Sequence, residues 1–489
     1  MFGLKRKKDL KSKKYFYITT TLPYVNSDPH IGFAMEIIRA DVIARYKQAL
    51  GYNVFFNTGT DEHGLKIYQK AFDFGKSVQE YVDEYVKRFM GLKDTLGLYE
   101  DLNFIRTTNA HHKKSAQEFW KRCSDNGDIY KKKYKSKYCV GCELEKTDSE
   151  IENGKCFIHQ NLELVIIEEE NYFFRFSKYQ KQLLGFYNKN PNFVVPDFRF
   201  NEIKKFVERG LKDFSISRLK EKMPWGVSVP GDDKHVMYVW FDALTNYISV
   251  IGWPEDEKKF SDFWTKGSPT QYAGKDNLRQ QSAMWQAMLM SAGLPNSHQI
   301  VINGFVVSGG KKMSKSLGNV FSPYDLVGKF GTDALRYFVL REFNSFEDSD
   351  FTPEKFKEAY NANLSNGLGN LASRIMKMAE THLSTPISVL IGSFPKEFTK
   401  HLDNFDIQKA VDFIWGEISK LDESIQKTEP FKLVKMNEKR GQEEIKKLVI
   451  GLSKIANMVS LILPNTAEKI LEAIKENKMF ITSLFPRKD

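Results

Sequence analysis

Aromatic and β-branched residues crowd Tyr15 to Thr21 (YFYITTT) and Tyr52 to Asn57 (YNVFFN), and both runs predict strands. Between them Met35, Ile38, Val42, Tyr46 and Ala49 recur at steps of three and four, which predicts one apolar face of a helix. Asp28 is a good N-cap and Pro29 suits the first helical position, so the helix is expected to begin there. A strand, loop, helix, strand unit places the loop and the helix N-terminus at the carboxyl edge of a parallel sheet, where anionic ligands bind.

Val78 to Leu92 repeats the helical period, and the turn signal Asn126-Gly127-Asp128 then precedes short, charged, β-like pieces, among them NYFFRFS at Asn171 to Ser177. Sheet-like texture returns in HVMYVWFDAL (His235 to Leu244) and QIVINGFVV (Gln299 to Val307), with the helical RQQSAMWQAMLMSAG between them. From Pro353 onward the pattern is almost wholly helical. The fold class this predicts is α/β: a doubly wound, Rossmann-like parallel-sheet domain, split by an insertion and followed by a C-terminal α-helical bundle. The expected divisions are an arm over 1–14, the two halves of the α/β domain over 15–126 and 238–308, the insertion over 127–237, a loop and connecting region over 309–365, and the bundle over 366–489.

A chain of 489 residues is too long for one core, so about two to four domains are expected. Lys and Arg exceed Asp and Glu by 11 (73 against 62), a balance compatible with a polyanionic partner such as nucleic acid. The arm carries Lys5, Arg6, Lys7, Lys8, Lys11, Lys13 and Lys14, and no apolar stretch follows it. Neither a secretory signal nor a membrane span is expected, and the arm reads as a solvated segment.

Three of the four cysteines cluster, which argues for metal rather than disulfides and hence for a reducing, cytoplasmic setting. Cys139, Cys142, Cys156 and His159 read as C-x2-C-x13-C-x2-H, the full ligand set of a closed, structural Zn²⁺ site. Cys123 stands apart and reads as a small buried hydrophobe. Lys131, Lys132, Lys133, Lys135 and Lys137 precede the cluster, either as a solvated basic edge or as contacts for a nucleic acid end. Beyond QIVINGFVV comes SGGKKMSKSLGN, Ser308 to Asn319. Its two glycines supply a hinge, and Lys311, Lys312 and Lys315 can neutralise phosphates when the loop closes.

HIGF at 30–33 resembles the HIGH signature of class I aminoacyl-tRNA synthetases, and KMSKS at 312–316 matches their second signature. Within that class the chain resembles the methionyl-tRNA synthetases: LPYVNSDPHIG, TGTDEHG at 58–64, YVWFDALTNY at 238–247, GKD at 274–276 and NGLGNLASR at 366–374 follow that family's order. The resemblance covers roughly residues 15 to 480. It implies an ATP-dependent ligase that makes methionyl-adenylate, with Mg²⁺ accompanying ATP, and transfers methionine to the 3′ end of initiator and elongator methionine tRNA. Such chemistry rests on positioning and on donors aimed at phosphate charge. By the resemblance, His30, Gly32, Lys312 and Lys315 are the catalytic group, and Glu36, Gly274, Asp276 and Ser314 join them around ATP. Leu22, Tyr24, Trp240, Ala243 and Tyr247 form the methionine pocket, with Asp61 placed to pair the substrate ammonium. Asn366, Asn370 and Arg374 share a helix face toward the anticodon, and Pro430-Phe431 supplies a stacking platform. The same resemblance makes 309–365 the KMSKS and stem-contact region and 366–489 the anticodon-binding domain.

Three departures follow from the same comparison. Phe33 replaces the second histidine of the signature and offers no N–H, which predicts adenylate formation slowed by ~10²-fold if nothing substitutes. Asn277 and Gln281 stand where the family has an aliphatic residue and a histidine, so two amides either bind substrate or rearrange the pocket's hydrogen bonds. Phe431 stands where tryptophan is usual and stacks with less area. The competing readings are a synthetase for another apolar amino acid, although the large editing insertion usual there is absent, and a tRNA-binding relative that has lost its chemistry. No dimerising appendage is evident, so a monomer is expected.

Overall fold

The computed structural model describes residues 14–142, 144–146, 150–313, 319–388 and 392–489. Of the basic arm only Lys14 is described. At the centre six parallel strands, β1 (Tyr15–Thr19), β2 (Asn53–Thr60), β3 (Leu102–Arg106), β4 (Val194–Val195), β5 (Thr270–Gly274) and β6 (Gln299–Asn303), lie in the order β3-β2-β1-β5-β6-β4. The run β1, β2, β3 grows to one side of β1 while β5 and β6 grow to the other, so the switch point lies between β1 and β5, where a crevice opens at the carboxyl ends. The two-residue β4 comes from inside the stretch 127–237 and pairs with β6, so that stretch is not wholly outside the central sheet. It is too short to carry a period-two pattern. The rest of the stretch is built on long antiparallel strands, Ile129–Cys139 against Val165–Phe174.

The first helix, α1 (Ile31–Ala49), starts two residues later than the Asp28-Pro29 step suggests. Its N-cap is His30, while Asp28 is engaged by Arg88 instead of capping. Met35, Ile38, Val42 and Tyr46 are buried as their spacing predicts, yet the opposite side is buried too, and only the end at Ala49 is exposed. It is a core helix rather than an amphipathic one. Its charged residues are matched at long range: Arg39 donates to Asn303 Oδ1 (3.0 Å) and to the carbonyls of Ser345 (3.0 Å) and Asn344 (2.7 Å), and Asp41 receives Arg336 (2.6 Å) and Arg45 (2.8 Å). Buried charge is tolerated where each group finds such partners.

Two sheet-like runs resolve differently from their sequence texture. HVMYVWFDAL leaves the strand Asp232–Met237 at Tyr238 and continues as the helix Val239–Leu244, because a continuous apolar run fits a buried helix as well as a strand. QIVINGFVV ends β6 at Asn303, and Val306–Ser308 pairs instead with Lys311–Lys312 and Ser349–Asp350. The glycine pair Gly309-Gly310 takes φ of 59° and 72° and forms the two-residue turn of that hairpin, a conformation that favours glycine at both positions.

After residue 353 the structure is helical, led by Asn370–His382, Ile407–Thr428 and Glu438–Ile462 with Ile375, Ile414 and Leu452 buried among them. The bundle is fastened to α1 through Arg336, which donates to Ile462 O at 2.7 Å as well as to Asp41. No helix among the described residues is long and apolar enough to cross a membrane.

Candidate active site

His30 caps α1 with its ring: Nδ1 accepts the Gly32 N–H at 3.1 Å. That acceptor role leaves the neutral ring's proton on Nε2, the nitrogen that can donate to an anion at the helix N-terminus. Gly32 lies so close beneath the ring that a Cβ there would stand 2.9 Å from His30 Cε1 and 3.7 Å from Met313 Cε. Met313 belongs to the lysine-rich segment, and the Ile31 N–H donates to Phe321 O beyond it at 3.0 Å. The helix N-terminus and the lysine-rich segment thus meet, as the sequence reading requires. Of Lys312 the backbone pairing with Val307 is described; Ser314 and Lys315 lie outside the described residues.

Glu36, one turn into α1, is buried and accepts from Thr21 N (2.8 Å) and Thr21 Oγ (2.6 Å). Burial pushes its carboxyl up to about 7 against those bonds, and the negative charge of Asp276 adds to the shift. Gly274 and Asp276 close β5 at the same crevice, and a Cβ on Gly274 would stand 2.8 Å from Asp276 Oδ1. Asn277 turns to Asp276, donating to Oδ1 at 3.4 Å. Lys275 is drawn away to Asp348 at 2.7 Å.

Asp61 follows β2, is buried, and bridges to Tyr24. Next to it His63 Nδ1 meets Asp242 Oδ2 at 2.5 Å, and His112 Nε2 holds the other oxygen at 2.8 Å. Burial works to raise the Asp242 carboxyl, but the two imidazoles outweigh it and hold it well below the usual carboxylate range. This His-Asp-His clamp locks the TDEHG loop onto the FDAL helix. Sequence reading missed it, although two of its three members sit inside quoted motifs.

Trp240, Ala243 and Tyr247 stand on one side of the helical stretch that begins at Val239, at spacings of three and four. Trp240 and Tyr24 both pack against the cluster of Tyr138, Tyr238 and Val239, and Leu22 is half-buried in the loop after β1. Tyr247 is buried, its carbonyl bonded by Tyr17 Oη (2.9 Å) and its hydroxyl by Gln281 Nε2 (2.6 Å). Gln281 therefore reaches Tyr247, whereas Asn277 faces the carboxylate of Asp276. Phe33 is partly buried against the core of the α/β domain.

In the insertion the ligand atoms of Cys139, Cys142, Cys156 and His159 lie within 4.8 Å of one another. Cys142 Sγ is 3.2 Å from His159 Nδ1 and 3.5 Å from Cys156 Sγ, and Cys139 Sγ is 3.7 Å from His159 Nδ1. These edges suit a tetrahedron around a metal with bonds of about 2.0 to 2.3 Å. Gly141 makes room for the imidazole, since a Cβ there would stand 2.6 Å from its ring carbons. The knuckle is tied to the α/β domain: Lys66 donates to Gly141 O at 3.0 Å, and Glu150 pairs with Arg279 at 3.7 Å. The basic edge before it is partly neutralised, with Lys131 on Asp232 (2.7 Å) and Lys135 on Glu168 (3.4 Å). Cys123 is fully buried beside Met288, as expected of a small hydrophobe.

On the bundle Asn366 and Asn370 are exposed, and Arg374, paired with Asp422 at 2.6 Å, lines an open groove together with Phe431, Met378 and Met479. Pro430 is buried as the first residue of the helix Pro430–Met436, which leaves Phe431 exposed beside Arg374.

A family profile described as tRNA synthetases class I (M) matches residues 16–161 and 141–376. The Methionine–tRNA ligase of Thermotoga maritima is 40% identical over 476 residues, covering 94% of this chain and 75% of the relative. That of a Nostoc species is 39% identical over 482 residues, covering 95% and 90%. Among solved structures, Mycobacterium tuberculosis methionyl-tRNA synthetase in complex with methionyl-adenylate superimposes with a TM-score of 0.88 at 33% identity, over 97% of this chain and 100% of that one.

Proposed function

The chain belongs to the methionyl-tRNA synthetase family of class I tRNA synthetases, and from that premise we propose how its residues divide the work. It activates methionine with ATP as methionyl-adenylate and charges tRNA with it. A carboxylate oxygen of methionine attacks the α-phosphorus in line, the bond to the bridging oxygen breaks, and pyrophosphate leaves. A ribose hydroxyl at the 3′ end of an initiator or elongator methionine tRNA then attacks the methionyl carbonyl carbon, and AMP leaves.

His30 donates from Nε2 to the phosphates, its ring fixed by the Gly32 N–H, and Gly32 lets the nucleotide approach the backbone. Lys312, Ser314 and Lys315 bring donors from the facing segment, while Glu36, Gly274 and Asp276 complete the nucleotide seat. Asp61 pairs the substrate ammonium, and Leu22, Tyr24, Trp240, Ala243 and Tyr247 shape the thioether site, where aromatic contacts favour sulfur by ~0.3 to 1.5 kcal/mol each. Asn277 stands with Asp276 on the nucleotide side, and Gln281 acts behind Tyr247. Asn366, Asn370, Arg374 and Phe431 read the anticodon, with Pro430 setting the direction of Phe431.

Cys139, Cys142, Cys156 and His159 would hold zinc, because three thiolates and an imidazole supply a full set of four soft ligands, which would give a fastening and leave no open position for chemistry. Mg²⁺ accompanies ATP. The enzyme works as a monomer in the cytoplasm.

The observation that carries this reading is the approach of Met313 to Gly32, on which the His30 ring also rests, at the sheet's switch point. Pyrophosphate exchange with each amino acid, combined with charging of bulk tRNA, tests it. Exchange driven by methionine alone is expected. Exchange with another apolar amino acid favours a different specificity, and tRNA binding without exchange favours a relative that has lost its chemistry.

A further inference from the structure

Phe33 brings no hydrogen-bond donor to the first turn of α1; its ring packs on Phe89, in the helix Val78–Met90. The residue before Phe89 is a cation. Arg88 lies over Tyr85, its guanidinium carbon 4.4 Å from the ring centroid, and gives Nη1 to Asp28 and Nη2 to Glu84 Oε1 (2.8 Å). Asp28 stands two residues ahead of the His30 cap, so the guanidinium is held beside the loop that leads into the N-terminus of α1. The lysine-rich side holds the same residue by its backbone. Tyr324, in the helix Pro323–Phe330 that follows that segment, donates from Oη to Arg88 O. Arg88 is thus tied both to the loop before His30 and to the helix beyond the lysines.

Neither carboxylate holds the guanidinium firmly. The side chains of Arg88 and Asp28 are 39% and 51% exposed, and an ion pair so open to water costs little to break. Glu84 also pairs with Lys76, so it keeps a cation when Arg88 moves. A polyphosphate carries more charge than the Asp28 carboxylate and meets the planar fork with two oxygens at once. We propose that Arg88 is a further phosphate-binding residue of adenylate formation, one that exchanges Asp28 for the terminal phosphates of ATP and holds pyrophosphate as it leaves. When the bond from the α-phosphorus to the bridging oxygen breaks, its electron pair departs with pyrophosphate, and the guanidinium meets that growing charge. The neighbouring helix then supplies the donor that Phe33 does not supply from α1. This rests on the ATP site proposed above and adds to it a cation from outside both signature segments.

Inorganic pyrophosphate is the probe. The melting temperature of the full chain is followed against pyrophosphate concentration, and methionine-dependent exchange gives KM for pyrophosphate and for methionine separately. Arg88→Ala is expected to weaken pyrophosphate about tenfold in both measurements and to slow adenylate formation by about tenfold to a hundredfold. The methionine KM should not change, nor should transfer of methionine from preformed adenylate to tRNA, a step without pyrophosphate. Asp28→Asn releases the guanidinium and is expected to tighten pyrophosphate severalfold. Phe33→His should return most of the lost rate in an Arg88→Ala background and add less than about twofold to the unmodified protein. Unchanged pyrophosphate binding in Arg88→Ala would overturn the proposal. So would a loss in Asp28→Asn equal to that in Arg88→Ala, which would make the pair a tie of the loop, or an equal slowing of transfer from adenylate, which would mean action through the fold. An unmodified protein without methionine-dependent exchange would strike the functional reading instead, and the melting curves would still decide for or against the phosphate site.

Discussion

Phe33 meets Phe89 edge to face, ring centroids 5.7 Å apart and planes at 77°. The side chain that breaks the HIGH signature is therefore invested in packing between α1 and the helix Val78–Met90. Since the ring donates nothing to phosphate, Phe33→Ala is expected to cost about 2 kcal/mol of stability for a partly buried ring. Its effect on the adenylate-forming rate is expected to stay below about tenfold. Urea unfolding and single-turnover kinetics separate the two quantities. A loss of rate with unchanged stability would show that the ring acts on the substrate.

His30 combines two roles that substitution can pull apart. His30→Ala removes both the cap acceptor for the Gly32 N–H and the phosphate donor, so a loss of about 1 kcal/mol in stability and about 10² to 10³ in adenylate formation is expected. Asparagine is a good N-cap, so His30→Asn should keep most of the stability while losing the rate. If the asparagine variant kept the rate as well, the imidazole would be a cap and nothing more.

What could be read in the sequence, and what could not, follows from the range of the interactions involved. The opening strand-helix-strand unit and the cysteine-histidine cluster were legible because each depends on local spacing, whereas the meeting of residues 30–33 with the lysine-rich segment came only from the family resemblance of two compact motifs. The start of α1 was misplaced by two residues: Asp28 is as good a cap as His30 until Arg88, 60 residues away, claims it. The burial of Arg39 was not legible in a helix read as having one apolar face, because its partner Asn303 lies 264 residues on. Val239 to Leu244 passed for strand because six apolar-rich residues carry no decisive period. Gln271, Gln286 and Ser297 escaped altogether, since the buried hydrogen bonds of Gln286 to Ser297 (3.1 Å) and of Ser297 to Gln271 join a helix, a loop and a strand and leave no pattern in the chain.

The Glu36 carboxyl makes a pH-dependent prediction whose sign is fixed. Burial raises it from the ordinary 4.5 to about 7, so the folded chain holds this proton more tightly than the unfolded one. The stabilisation from that proton is fully present below the unfolded value and is lost as pH rises through 7. Glu36→Gln removes the ionisation and keeps an acceptor for Thr21. The variant is expected to match the natural protein at about pH 4 and to exceed it in stability at about pH 8, by up to about 3 kcal/mol. Urea midpoints at the two pH values give the answer. Equal gains at both would mean that ionisation of Glu36 is not involved.

Metal removal is expected to act through ties of the knuckle to the α/β domain that include Lys66 to Gly141 O and Arg279 to Glu150. Chelation, or Cys156→Ser, should release about one equivalent of zinc per chain and expose the strands Ile129–Cys139 and Val165–Phe174 to protease. Methionine-dependent exchange should fall and return when zinc is restored to the chelated protein. Full activity and protease resistance after complete removal of metal would leave the four ligands without a structural role.

On the bundle, Phe431 is 42% exposed beside Arg374, a large apolar ring left open to solvent next to a cation. Surface rings of this kind stack on unpaired bases, each stack contributing about 1 to 3 kcal/mol. Phe431→Ala is therefore expected to lower kcat/KM for tRNA charging by about tenfold to a hundredfold. Pyrophosphate exchange, which needs no tRNA, should not change, because the ring lies on the bundle and not at the crevice between β1 and β5. Phe431→Trp enlarges the stacking surface and should restore or improve charging. Arg374→Lys keeps the charge but loses the planar fork held by Asp422, so a smaller loss in the same direction is expected. A Phe431→Ala protein that charged tRNA normally would place the anticodon elsewhere on the bundle, and one that lost exchange as well would show that the substitution acts through the fold rather than through the bases.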